Sequence, residues 1–147
     1  MDITILAVGK IKDRSYLQKT EEYAGRIRHD ARLETVEIRD ADPETEGEKI
    51  TSHCRRGNAR GNARIIALDE RGKLFSSSEF AQQLSADSRR VIFIIGGPFG
   101  LSEEVKKTAH ELLALSRMTF THEMARLLLL EQIYRAISII KGRKYHK

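Results

Sequence analysis

Apolar and polar positions along the chain fall into two alternating rhythms. DITILAV (residues 2–8) is rich in β-branched residues and bounded by Gly9, and RVIFII (90–95) is apolar at five successive positions. Both read as strands, the second buried on both faces as strands of parallel sheets are. LETVEIR (33–39) and RIIAL (64–68) add two shorter strand candidates. Helical spacing fills the gaps. Ser15 is placed to cap a helix whose Leu17, Thr20, Ala24 and Ile27 share a face, and Ser76 with Glu79 has the capping-box spacing ahead of Phe80 and Leu84. Ser102 precedes Glu103 and Glu104, which suit the positive end of a helix, with Val105, Ala109, Leu112 and Leu113 on one side. The resulting order, strand then helix four times over, predicts an α/β fold with a mainly parallel sheet.

The last helical pattern, Glu123 to Lys141, is the most informative. At about 100° per residue, Ala125, Leu127, Leu129, Leu130, Ile133, Tyr134, Ala136, Ile137 and Ile140 fall on one broad arc, predicted to face the core. The opposite arc carries Glu131, Gln132, Arg135 and Ser138 but is interrupted by Leu128 and Ile139. A surface helix has no use for that second stripe, so it predicts packing against another copy of the chain. Arg126 lies near the centre of the apolar arc, where an unpaired guanidinium is costly, and it must meet an ion-pair partner or a wet cleft.

Composition narrows the function classes. A chain of 147 residues with 40% hydrophobic and 32% charged positions matches one soluble domain spanning 1–147, and no apolar run approaches the roughly 20 residues of a membrane span. The N-terminus lacks the pattern of a secretory signal, which predicts a cytoplasmic location. A single Cys54 excludes an internal disulfide and a multi-thiolate metal site, so no metal is expected. The net charge of +5 suits a polyanionic partner. Residues 40–63, running from DADPETEGE to the tandem RGNARGNAR, look least ordered; the basic half reads either as a flexible arm for RNA or as a solvated helix end and loop.

Gly96 and Gly97 follow the buried strand directly, placing a turn at the carboxyl edge of the sheet, where open α/β folds bind ligands. Neither the P-loop nor the GxGxxG spacing is present, and Pro98 removes an N–H donor, which makes the turn a poor phosphate nest. His122 at the start of the last helix is compatible with a cap or a cleft position. The closing KGRKYHK combines basic charge with an aromatic ring, as an RNA contact or a solubilising tail would.

Taken in order, AVGK (7–10), LDERGK (68–73), IGGPFGL (95–101), LSRMTFTHEMAR (115–126), LEQIYRA (130–136) and the terminal YHK resemble the small knotted methyltransferases of the SPOUT superfamily, and within it the methyltransferase H family of the large ribosomal subunit. The resemblance covers nearly the whole chain. It implies a C-terminal trefoil knot, helices on both faces of the sheet, and a homodimer. It also implies an S-adenosylmethionine site at Leu68, Gly96, Gly97, Leu115, Ser116, Arg117, Met118, Thr119 and Phe120. The implied reaction is methylation of N3 of a pseudouridine in 23S rRNA on the ribosome. In it Arg126 would stabilise the developing anion, Tyr145 and His146 would orient the base, and His122, Arg143, Lys144 and Lys147 would contact RNA. The alternatives are a non-catalytic RNA-binding or ribosome-assembly factor on the same scaffold, which need not bind S-adenosylmethionine, and methylation of another RNA base. Two positions depart from the pattern: Thr121 stands where many relatives have Pro, and Phe99 where others often have Glu or Asn.

Overall fold

The computed structural model describes residues 1–145; His146 and Lys147 lie outside the described residues. Its elements in order are β1 (Asp2–Val8), α1 (Arg14–Arg28), β2 (Arg32–Ile38), α2 (Pro43–Gly57), β3 (Ala63–Leu74), α3 (Ser77–Ser85), β4 (Arg90–Ile95), α4 (Glu103–Thr108), β5 (Glu111–Ala114) and α5 (His122–Ile140). The strands form one sheet in the order β2-β1-β4-β3-β5, with every pairing parallel. β1 and β4 lie inside it, which is why both read as nearly unbroken apolar runs.

Alternation along β1 divides the core in two. Ile3, Ile5 and Ala7 point to the face covered by α1, α3 and α5, where they meet Ile27, Phe80, Leu129 and Ile133. Leu6 and Val8 point the other way, onto Ile50 and Cys54 of α2 and Val105 of α4. Helices therefore cover both faces, as expected. The Ser76–Glu79 capping box and the Ser102 cap are present as the sequence predicts.

Several local expectations are corrected. Asp13, not Ser15, caps α1, its carboxylate accepting from the Tyr16 amide at 3.0 Å. Leu17 is exposed because the first turn of α1 starts short of the core, which the helix reaches only at Thr20. Residues 43–57 form a regular helix: Asp42 caps it, Pro43 opens it, and Gly47, Ile50, Thr51 and Cys54 supply a narrow buried stripe among many charges. The basic tandem is not an arm. Its first half ends α2, its second turns into β3, and Arg64 is buried, paired with Glu111 and donating to the Gln83 carbonyl.

The helix begun at Ser102 stops at Thr108. Leu112 and Leu113 belong to β5 instead, held on the sheet edge by the His110 amide donating to the Ile65 carbonyl at 2.8 Å. On α5 the buried arc is wider than the wheel suggests, because α1 and α3 flank the helix on both sides. Ser138 is fully buried and Ile139 packs on the core, whereas Ile140 is exposed. Leu128 lines a cavity of about 420 Å³ with Phe75, Phe80 and Leu113. Ile139 of the second stripe thus has partners within the chain, while Leu128 borders an open pocket.

Candidate active site

β3, β4 and β5 deliver their carboxyl ends to one edge, and three loops close around the space beyond it. The first is the turn after β4. The Gly100 amide donates to the Gly97 carbonyl at 3.0 Å, and Gly100 has φ +75°, a left-handed conformation that favours glycine. The turn packs tightly: a Cβ on Gly96 would stand 3.0 Å from the Gly100 backbone, and one on Gly97 2.9 Å from Val8 Cγ1.

The second loop interrupts β3. Leu113 of β5 is opposite both Leu68 and Lys73, so residues 69–72 leave the ladder as an excursion and rejoin it. Gly72 allows this, since a Cβ there would lie 2.5 Å from the Leu112 carbonyl carbon. The third loop, 115–121, is fastened to the second. Arg117 Nη1 donates to the carbonyls of Glu70 and Gly72 at 2.5 and 2.8 Å, and Thr119 Oγ1 donates to the Glu70 carboxylate. Thr121 then caps α5, so its hydroxyl, which a Pro would lack, has a local use. Glu123 accepts from the backbone amides of Lys12 and Asp13, tying the start of α5 to the loop after β1.

Together these loops enclose a cavity of about 880 Å³. All the residues expected at the cofactor site line it except Arg117, which braces the loop. His122 lines it too. A Cβ on Gly9 would meet both Asp40 Oδ1, at 2.9 Å, and His122 Nε2, at 3.4 Å, so these side chains converge on that glycine. Sequence reasoning missed Asp69, Glu70, Lys106 and Glu123 in the lining. Lys106 bridges to Asp69 at 2.9 Å, and that hydrogen bond raises the ammonium's pKa. The signal for Asp69 and Glu70 was the LDERGK motif and for Glu123 the LSRMTFTHEMAR motif, and no motif contains Lys106.

The remaining expected site residues among those described lie elsewhere, and His146 and Lys147 fall outside the described residues. Arg126 is buried but does not line the cavity; its Nη1 donates to Glu37 of β2 at 2.9 Å, so the ion-pair alternative describes it. Tyr145 folds back on the far end of α5. Its ring meets Tyr134 edge-on at 4.7 Å, the Arg135 guanidinium lies 4.9 Å from its centroid, and its hydroxyl is 3.0 Å from that of Tyr23. Burial first, and the Tyr23 contact second, push its pKa up to about 12. Arg143, with Lys141, grips Asp30, whose carboxyl is held well below its usual range by hydrogen bonds from Arg143 and then Lys141. Lys144 is exposed. At about 1.5 Å per residue, the 19 residues of α5 separate this end from the cavity by roughly 27 Å.

A parallel α/β sheet with a glycine-walled cavity at its carboxyl edge, closed by the loop before the last helix, defines a class. The family model described as predicted SPOUT methyltransferase matches residues 1–146, and the chain belongs to that family. Among curated relatives it is similar to the ribosomal RNA large subunit methyltransferase H of Carboxydothermus hydrogenoformans, 44% identical over 100% of both chains. The protein of the same name from Caldicellulosiruptor bescii is 41% identical over 99% of both. Two solved structures share the fold. A probable methylase family protein from Haemophilus influenzae has TM-score 0.54 and 15% identity, covering 99% of this chain and 70% of that one. The SpoU methyltransferase AviRb from Streptomyces viridochromogenes, in complex with AdoMet, has TM-score 0.53 and 12% identity, covering 97% and 59%.

The cofactor of the class is S-adenosylmethionine, and the residues present fit it. The volume lies in the range of small-molecule sites. Leu68, Ile95, Leu115 and Phe120 offer apolar wall, the bare backbone at Gly96 and Gly97 permits close approach, and Asp69, Glu70 and Glu123 give the lining a negative character suited to a sulfonium. Among the described residues there is no group of three or more His, Cys, Asp or Glu able to hold a metal, and no helix long and apolar enough to cross a membrane.

Proposed function

We propose that this methyltransferase modifies ribosomal RNA of the large subunit, at N3 of a pseudouridine in 23S rRNA, in the cytoplasm. The observation that carries the reading is the cavity itself: three loops distant in sequence bring together Leu68, Gly96, Gly97 and residues 115–120, apart from Arg117. Full-length likeness to proteins named ribosomal RNA large subunit methyltransferase H supports the substrate class.

The bound cofactor supplies an activated methyl group. Alignment against it comes from a cavity whose loops are fixed by the Arg117 and Thr119 clamps, so that the acceptor is held in line. The acceptor nitrogen, an imide, must lose its proton before it forms the new N–C bond. His122 is the imidazole in the cavity wall, and we assign it to the acceptor side of the site, with Asp40 beside it. Arg126 takes a positioning role, holding the first turns of α5 to β2 through Glu37.

The chain in this reading works as a homodimer, and its C-terminal helix is threaded through a loop of the sheet as a trefoil knot. Tyr145 packs on Tyr134, twelve residues along α5 from His122 and so roughly 18 Å from its own cavity. The tail, with His146, Lys144 and Lys147, therefore completes the cavity of a second copy, while Arg143 and Lys141 anchor its root on Asp30.

The test is transfer of labelled methyl from S-adenosylmethionine to large ribosomal subunits or whole ribosomes lacking the modification, with mass spectrometry of the 23S rRNA nucleosides. N3-methylpseudouridine is expected. A different methylated base would overturn the target, and an absence of both cofactor binding and transfer would indicate an inert RNA-binding factor.

A further inference from the structure

The two most exposed large apolar side chains of the described residues are Phe99, at 81%, and Met118, at 76%; the next, Leu74, is at 49%. Both belong to the lining of the same cavity, one on the turn after β4 and the other on the loop before α5. Neither is needed by its own loop. The turn is shaped by the Gly97–Gly100 hydrogen bond and the left-handed Gly100, and the second loop by the Met118 amide donating to Ser116 Oγ at 3.0 Å. A ring left in water forfeits the free energy its burial would yield.

The neighbouring carboxylates are engaged: Glu70 with Thr119, Asp69 with Lys106, Glu123 with the Lys12 and Asp13 amides. Beyond these and Lys106, the charged lining residues are Arg71 and Glu103, both exposed, so the rim presents an incoming molecule with apolar surface flanked by one charge of each sign. The methyl acceptor must pass this rim, and an unstacked RNA base arrives with two π faces, which aromatic side chains bind by stacking and a thioether contacts favourably. Two side chains fall far short of the roughly 800 Å² per partner of a stable protein interface, so even beside the tail of a second copy they are left to the substrate.

We infer that Phe99 stacks on the RNA base presented to the cavity, with Met118 as the apolar contact beside it, so that base capture is built from these two positions. The inference rests on the reading of the chain as an RNA methyltransferase.

Full-length Phe99→Ala, Phe99→Trp, Phe99→Leu and Met118→Ala are compared with the parent in steady-state methylation of large ribosomal subunits, with calorimetric titration of S-adenosylmethionine and sedimentation of each variant. Phe99→Ala should raise KM for the RNA substrate about tenfold, the scale of a lost base stack, with kcat and cofactor affinity nearly unchanged. Phe99→Trp should restore the parental KM, Phe99→Leu should not, and Met118→Ala should raise KM by a smaller factor. An unchanged KM in Phe99→Ala overturns the inference. So does a parallel loss of cofactor affinity, which would make the ring part of the cofactor wall, or a change in oligomeric state, which would make the rim an interface between copies. Failure of the parent protein to methylate RNA would strike the proposed function first; an active parent with an equally active Phe99→Ala strikes this inference alone.

Discussion

Arg126 stands on the most apolar stretch of α5, where sequence alone leaves two uses for a buried guanidinium. The partner that decides between them, Glu37, is 89 positions away on β2, and no local pattern points to it. Replacing Arg126 with Ala leaves the Glu37 side chain, 40% exposed, to be solvated by water, so the loss is smaller than for a fully buried pair. We expect about 2 kcal/mol of destabilisation, read from the urea midpoint. Methyl transfer per folded molecule should fall less than threefold at unchanged cofactor affinity; a tenfold fall would return Arg126 to contact with the reacting atoms. Tyr145 teaches the same lesson from the other direction. Its sequence neighbours are basic, but its ring and hydroxyl are held by Tyr134 and Tyr23, contacts that only the packing of α1 against α5 creates.

At the scale of elements, strands with strong apolar runs and helices with clear caps were legible. β1, β4, α3 and the starts of α4 and α5 follow from period and capping alone. β5 was not, because ELLA carries no alternation that separates a short edge strand from a helix end. What places it is hydrogen bonding to β3, including a register that skips from Leu68 to Lys73. α2 was obscured because its buried stripe is narrow and set among charges. The β3 excursion gives the sharpest element-level test. A methyl group at Gly72 would collide with the Leu112 backbone, which has no flexible end to yield. Gly72→Ala should therefore push β5 from β3, cost about 1–3 kcal/mol, and weaken S-adenosylmethionine binding at least tenfold by calorimetry. Native affinity in this variant would mean that the excursion does not shape the cavity.

For the molecule as a whole, sequence physics gave the sheet class and one loop of the site, and the resemblance supplied the rest. Convergence of residues 68–71, 95–101 and 115–123 depends on strand order, which no single stretch encodes. The length of α5 gives the whole-molecule prediction. A chain truncated after Gly142 and a second chain disabled in its cavity by Gly97→Leu should each be inactive. Random mixing should recover about a quarter of the parental sites, since half the dimers pair an intact cavity with an intact tail. Mixed dimers without activity would place the tail outside this role. The bare peptide at Gly96 and Gly97 has a pharmacological corollary. An inhibitor that imitates the methyl donor would press on main chain, so a cell could not acquire resistance there by exchanging one side chain without spoiling its own enzyme. Exchange of the exposed Phe99 at the rim, which serves the base and leaves donor affinity unchanged, opens no second route.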